Sequence, residues 1–488
     1  MKRFLLFLLW LQSGLAGAQM VPTRHLEILC DEKKTEDFNV LSLGAEGLLV
    51  SRTVNDPFRN VSYLYQFTRY DSTLTQKWQG EFRLKYPFEG LLSYHTRDHL
   101  YWLCGDSSSD KIQIWKVHLE TGDTELIEGE VLAIDEVSQF KVLGNKAFLA
   151  GKYNDRPVVV SFSFFDKSSK ALPDLFDYHL ALNGLEVNEQ TNTVYVFAHS
   201  TRKGRCRLLM NAYDYDGRLI RKEDLSDESD KSLLTGEIVP LPGGESLLVG
   251  SYSLHCSEYA QGLYLGRLGD HGRRELKFIP FSDLPNFFNY LKPGKQERMR
   301  TRIAESRKKG KNPKFTYLLQ VHNLIPTDRG YLLLAEAYYP QYKTASTVFS
   351  GRNRPQDSFR YTHAVICGLD FSGNLLWDNS VSLDDLSSGE LAQQIQLSRQ
   401  GDTLLLAYPH ETKIRTQRIR GGKTLGTGSE SERLPEAVRK NLNSDTPASL
   451  SAWYDANFLT WGFRKIETGP TPRDAFFIYK LEPGPSVN

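Results

Sequence analysis

Short apolar runs broken by tight polar turns recur along the whole chain, and one stretch shows the unit. Tyr317–Ile325 is a mostly apolar run, Asp328-Arg-Gly330 a turn, and Tyr331–Ala337 a second run. After a polar loop, Thr362–Leu369 is a third, and the turn Asp370-Phe-Ser-Gly373 leads into Asn374-Leu-Leu-Trp377. Runs of this length, alternating in polarity and joined by Gly/Asp turns, predict a four-stranded antiparallel meander. Its first turn and second strand recur as Gly44–Val50, Thr96–Leu103, Gly144–Leu149, Thr191–Phe197, Pro242–Val249, Asp328–Leu334, Gln400–Leu406 and Asp455–Trp461. Most of these copies are spaced by about fifty residues.

Repeats of that size predict an all-β fold, a single β-propeller. Each blade buries both faces against its neighbours, and the ring leaves no long free edge. Eight copies predict eight four-stranded blades; a seven-bladed ring with one degenerate copy, or a pair of β-sandwiches, is the alternative. The last copy ends with Ala475–Leu481 and lacks a fourth strand, while Arg24–Cys30 near the start belongs to no copy. Pairing the two would close the ring.

Asp370-Phe-Ser-Gly-Asn-Leu-Leu-Trp377 resembles the Asp-x-x-Gly-x-x-x-Trp segment of quinoprotein-type (PQQ-like) propellers, and Tyr70–Trp78 and Asp214–Ile220 are weaker versions. The likeness implies a fold. It implies no quinone cofactor, because most copies lack the tryptophan and no metal-ligand cluster stands ready to hold one; no cofactor or metal is expected. The chain as a whole, with Ala335-Glu-Ala-Tyr-Tyr-Pro340, is similar to exported propeller proteins of Gram-negative bacteria that have no assigned activity.

Residues 1–18 change the picture of location. Lys2-Arg3, the apolar run Phe4–Leu11 and Ala16-Gly-Ala18 read as a secretory signal peptide cleaved after Ala18. The run is too short to span a bilayer, and no other stretch is long and apolar enough for a transmembrane helix. The propeller domain is then 19–488, periplasmic or secreted. Charge balances at 60 Lys+Arg against 59 Asp+Glu, and losing Lys2 and Arg3 leaves 58 against 59. Neutrality and export both argue against a nucleic-acid partner. Cys30, Cys104, Cys206, Cys256 and Cys367 are odd in number and match no zinc spacing. They read as reduced strand residues; Cys206 and Cys256, on the same face of neighbouring blades, are the one pair left open.

The long segments all fall among second-to-third-strand connections and interblade links, which share one face of a propeller. The link 284–316 and the loop 339–361 are the largest. Binding loops gather on a rigid scaffold in this way. Residues 295–309 lack Pro and Gly and predict a helix stopped by Gly310. From Lys292 to Lys314 there are ten Lys/Arg and two Glu, a net charge of +8. Arg298, Arg302, Lys308 and Lys309 are its candidates for docking an anionic partner.

Polar residues near the inner strands are the remaining candidates. Glu186, Glu237, Gln320 and His322 lie in first strands; His199, Glu336, Tyr338 and His410 follow second-strand runs. They could ring the channel mouth and line water or bind a ligand. No spacing among them singles out a nucleophile–base or paired-carboxylate arrangement. The leading expectation is a monomeric, non-enzymatic binding or scaffolding protein, whose partner is an envelope protein, a polysaccharide or another anionic ligand. The alternative is a hydrolase or lyase acting on glycans or peptides in the channel.

Overall fold

A computed structural model describes residues 20–31, 35–55, 62–106, 108–202, 205–226, 231–241, 245–269, 272–273, 276–322, 324–342, 356–410, 413–433, 449–466 and 472–483. The proposed leader, residues 1–18, lies outside the described residues. The described chain forms eight antiparallel sheets in a propeller ring. The blades occupy 35–85, 88–130, 136–171, 180–224, 231–280, 318–388, 396–433 and 449–483.

The turns explain why these runs become these sheets. At the third-to-fourth-strand turn of blade six, the Asp370 Oδ1 accepts the N–H groups of Ser372 at 2.8 Å and Asn374 at 2.7 Å. Asp214 does the same for Asp216 and Arg218 in blade four, and Asp71 for Thr73 and Thr75 in blade one. The aspartate of the repeated motif is therefore a turn-former, offering the backbone a local acceptor. Gly330, at φ +140°, opens the second strand of blade six, and Gly47, at φ +111°, directly precedes that of blade one. A Cβ on either would run into the carbonyl that ends the third strand, Leu369 or Tyr70, which only glycine avoids.

Ring closure is as the sequence suggested. Met20–Leu29 forms the fourth strand of blade eight, pairing antiparallel with Arg473–Pro483 from Met20 opposite Pro483 to Leu29 opposite Ala475. The Arg464 guanidinium also bonds the Glu27 carboxylate across this sheet.

The core is distributed. Among the described residues there are eight apolar clusters, one at each blade–blade seam. The strand Gly330–Tyr342 shows how one sequence serves two seams. Tyr331, Leu333, Ala335 and Ala337 face blade five, while Leu332 and Leu334 face blade seven. Side chains alternate across a strand, so both sets are buried and the run reads as continuously apolar. Each buried Leu or Phe is worth ~1.5–3 kcal/mol in transfer terms.

Two expectations need correction here. The loop expected over 339–361 is shorter than that, because the strands of blade six reach Tyr342 and resume at Gln356, with Tyr339 opposite Arg360 and Pro340 opposite Phe359. Tyr and Phe favour the pleated surface; residues 343–355 lie outside the described residues. The cysteines are not all reduced: Cys206 and Cys256 form a disulfide with Cα atoms 5.2 Å apart, in the usual range. It staples blade four to the second-to-third-strand link of blade five. Cys30, Cys104 and Cys367 are free thiols, as expected.

Candidate functional site

The inner polar residues fall into two groups. Lys141, Glu186 and Glu237 come from the first strands of blades three, four and five. The Lys141 Nζ lies 3.2 Å from the Glu186 Oε2 and 5.4 Å from the centre of the Tyr94 ring of blade two. Burial, then the neighbouring Glu186 charge, pushes the Glu237 carboxyl up to about 7, against the opposing pull of Lys141. Here the structure brings two of the sequence-derived candidates, Glu186 and Glu237, into one electrostatic cluster.

The second group ties each blade to the next. Glu336 is fully buried. Its carboxylate accepts the N–H of Ile395 at 2.6 Å and of Gln394 at 3.0 Å, both at the start of blade seven, and lies 2.9 Å from the His322 Nε2. The Gln139 Oε1 of blade three likewise accepts the Leu185 N–H of blade four at 2.7 Å, and the Gln396 Oε1 of blade seven accepts the Ala452 N–H of blade eight at 3.2 Å. First strands have an unpaired inner edge, and a buried backbone N–H needs a partner. These side chains supply it, so Glu336 is sealed within a blade seam, with the half-buried His322 beside it. Gln320 reaches the Leu391 carbonyl at 3.5 Å.

The remaining candidates are scattered. His199 packs beside the backbone of Leu233 and Leu234 in blade five; burial lowers its pKa and leaves its Nε2 without a hydrogen-bond partner. Tyr338 packs on Phe359 and Tyr361, with its hydroxyl pushed up by burial and then by Glu258. His410 is half-buried at the end of its strand, away from the others' contacts.

The link between blades five and six carries the helix α1, Pro293–Lys308. Its Pro at the first turn and Gly310 at φ +68° just past the end are the expected boundary residues. Gln296, Met299, Ile303 and Arg307 fall on one side and hold it down. The Gln296 Nε2 donates to the Leu291 carbonyl at 2.7 Å, Met299 and Ile303 rest on the seam cluster, and Arg307 pairs with Asp283 at 2.7 Å. The Arg302 guanidinium lies over the Phe315 ring. Lys295, Arg298, Lys308 and Lys309 point away and are exposed. They make no ion pair among the described residues.

Sequence reasoning missed the anchor beneath this helix. Phe281, Phe287, Phe288 and Phe315 are buried in the seam between blades five and six. The Asn286 N–H donates to the Asp378 Oδ2 at 2.8 Å, and the Tyr290 N–H to the Ser380 Oγ at 3.1 Å, locking the link onto the fourth strand of blade six. His363 is fully buried under it, stacked on Tyr290 at 3.7 Å and met edge-on by Phe287 and Tyr317. Burial holds its imidazole down at about 3, and its Nε2 has no hydrogen-bond partner. The cluster Phe287-Phe-Asn-Tyr290 was the available signal: aromatics in a link need a surface to cover.

No family model and no curated protein matches the chain. It is similar in shape to the Dos1 propeller (9% identity, 94% of this chain and 95% of that one, TM-score 0.41) and to the polysaccharide lyase Uly1 (9%, 80% and 89%, TM-score 0.37). It also resembles a prolyl endopeptidase (6%, 91% and 54%, TM-score 0.42), spanning about half of that chain. Likenesses this distant say nothing of activity. On the tight-turn face, a cleft of about 290 Å³ between blades six and seven is lined by Trp377, Leu332, Leu404 and Ile419, with the ion pairs Arg329–Asp402 and Arg399–Asp328 at its rim. Trp377 packs there over Gly368 and Gly422. No helix is long and apolar enough to cross a membrane, and no group of three or more His, Cys, Asp or Glu converges, among the described residues.

Proposed function

We propose that the protein is an exported, non-enzymatic binding propeller that engages an anionic partner through its loop-rich face. The observation that carries this reading is α1: one side is spent on anchoring, while the other presents Lys295, Arg298, Lys308 and Lys309 to solvent. A fixed, net-positive ridge on a rigid ring raises the local concentration of anions. Export rests on the leader-like residues 1–18, and N-terminal sequencing of the exported protein should begin at Gln19. Binding to polyanions should fall with added salt, since exposed charges are screened beyond ~8 Å at physiological ionic strength. It should weaken in Arg298→Gln/Lys308→Gln/Lys309→Gln. Salt-insensitive binding, unaltered in that variant, would remove the reading.

A second reading, a hydrolase or lyase on glycans or peptides, has one observation in its favour. Glu237 and Glu186 are carboxyls in different environments, one pushed up to about 7, the pattern of an acid–base pair. Turnover of a glycan or peptide that disappears in Glu237→Gln would establish it.

A further inference from the structure

We propose that the surface formed by α1 and the tyrosines beside it takes an acidic polysaccharide. The inference rests on the anionic-partner reading and names the class of partner. Three observations select it.

The first is the shape of the charge. Exposed cations run from Lys292 and Lys295 through Arg298 and Arg300 to Lys308 and Lys309. A helix of 16 residues is about 24 Å long. Cations spread along that length cannot converge on one small anion, but they match a linear polymer with a repeating charge.

The second is what the ridge lacks. Met299 and Ile303 are turned inward onto the seam between blades five and six. The outward side has no large apolar residue, so the helix has nothing to insert into a bilayer.

The third is aromatic. Tyr259, Tyr339 and Tyr342 are 44%, 40% and 54% exposed. Backbone pairing places two of them beside the C-terminal flank of α1. Ala260, next to Tyr259, bridges to Tyr317, and Leu318 lies opposite Tyr338, next to Tyr339. Arg302 over Phe315 joins the helix to this same flank. Exposed rings beside the flank that carries the exposed Lys311 and Lys314 offer stacking faces for pyranose rings, and the lysines and α1 offer counter-charges for their carboxylates or sulfates. Tyr supplies such contact area at low entropic cost. A charge-only partner such as an acidic peptide would leave the rings unused.

The test measures binding of the whole protein to polygalacturonate, alginate and chondroitin sulfate. The controls are carboxyl-reduced polygalacturonate, polyglutamate and vesicles containing phosphatidylglycerol. At least one acidic polysaccharide should bind in preference to every control. Tyr259→Ala/Tyr339→Ala should lower that affinity about tenfold and leave polyglutamate unaffected, while Arg298→Gln/Lys308→Gln/Lys309→Gln lowers both. All five positions are exposed, and an unchanged melting curve confirms folding. Polyglutamate or vesicles bound as well as any polysaccharide, or a tyrosine variant that binds normally, overturns the proposal but leaves the anionic-partner reading standing. Binding to none of these polyanions overturns both.

Discussion

The Glu336 carboxylate of blade six accepts the backbone N–H of Ile395, at the start of blade seven, at 2.6 Å. The acceptor is fully buried, so its value is to the ring. Glu336→Leu removes both acceptor oxygens and leaves the N–H groups of Gln394 and Ile395 without this partner. Leaving buried donors unpaired costs about 2–4 kcal/mol. The urea midpoint should fall accordingly, with polyanion binding unchanged in the folded protein. An unaltered midpoint would mean the seam does not need this bond.

Glu237 should make stability depend on pH. Its carboxyl titrates at about 7 in the fold against an ordinary 4.5. The fold therefore holds this proton more tightly than the unfolded chain does. The contribution is fully present below the ordinary value and is lost as pH rises through about 7. Thermal melts across that window should show the wild type losing more stability toward alkaline pH than Glu237→Gln. Parallel curves would show that Glu186 and burial do not act on this group.

The disulfide should be countable. Denatured, unreduced protein should show three thiols, Cys30, Cys104 and Cys367, and reduction should expose two more. The bridge closes a separation of 50 residues, for which loop entropy alone gives about 4 kcal/mol. Cys206→Ser/Cys256→Ser should be less stable by up to that amount. Five thiols without reductant would count against the bridge.

Helix and anchor should separate on mutation. Replacing 293–311 by a short Gly/Ser bridge should leave the ring folded, because α1 contains no fully buried residue. Phe287→Ala, in the seam between blades five and six, should cost about 3–5 kcal/mol. A deletion that unfolds the ring would show that α1 is part of the core.

What the sequence made legible was whatever is local or periodic. The Asp370 and Asp214 turns, the glycines at the head of second strands and the spacing of copies are determined within one blade. The closing strand could be found because the eighth copy lacked a partner and Arg24–Cys30 lacked a home. What stayed hidden is set between blades. Nothing near Gln139 in the chain says that its amide meets Leu185. Nothing near Glu336 distinguishes a sealed carboxylate from a channel ligand, because the answer lies at Ile395. His363 reads as one position in an alternating strand. Its burial depends on Tyr290 and Phe287 folding back from a link read only for its charge. Cys206 and Cys256 were correctly placed on one face, but proximity there depends on a loop path that periodicity does not fix.

The pairing of Met20 with Pro483 puts the two ends of the described chain side by side. Antiparallel partners lie about 5 Å apart at Cα, so a few residues could join them. The described propeller then amounts to a loop of eight units opened at one place, and packing does not fix where that opening falls. Moving it to the exposed link near Leu132, between blades two and three, preserves every four-stranded sheet. Such a permutant would no longer wait for its last strand to find its first, since the contact now farthest apart in sequence would become a neighbour.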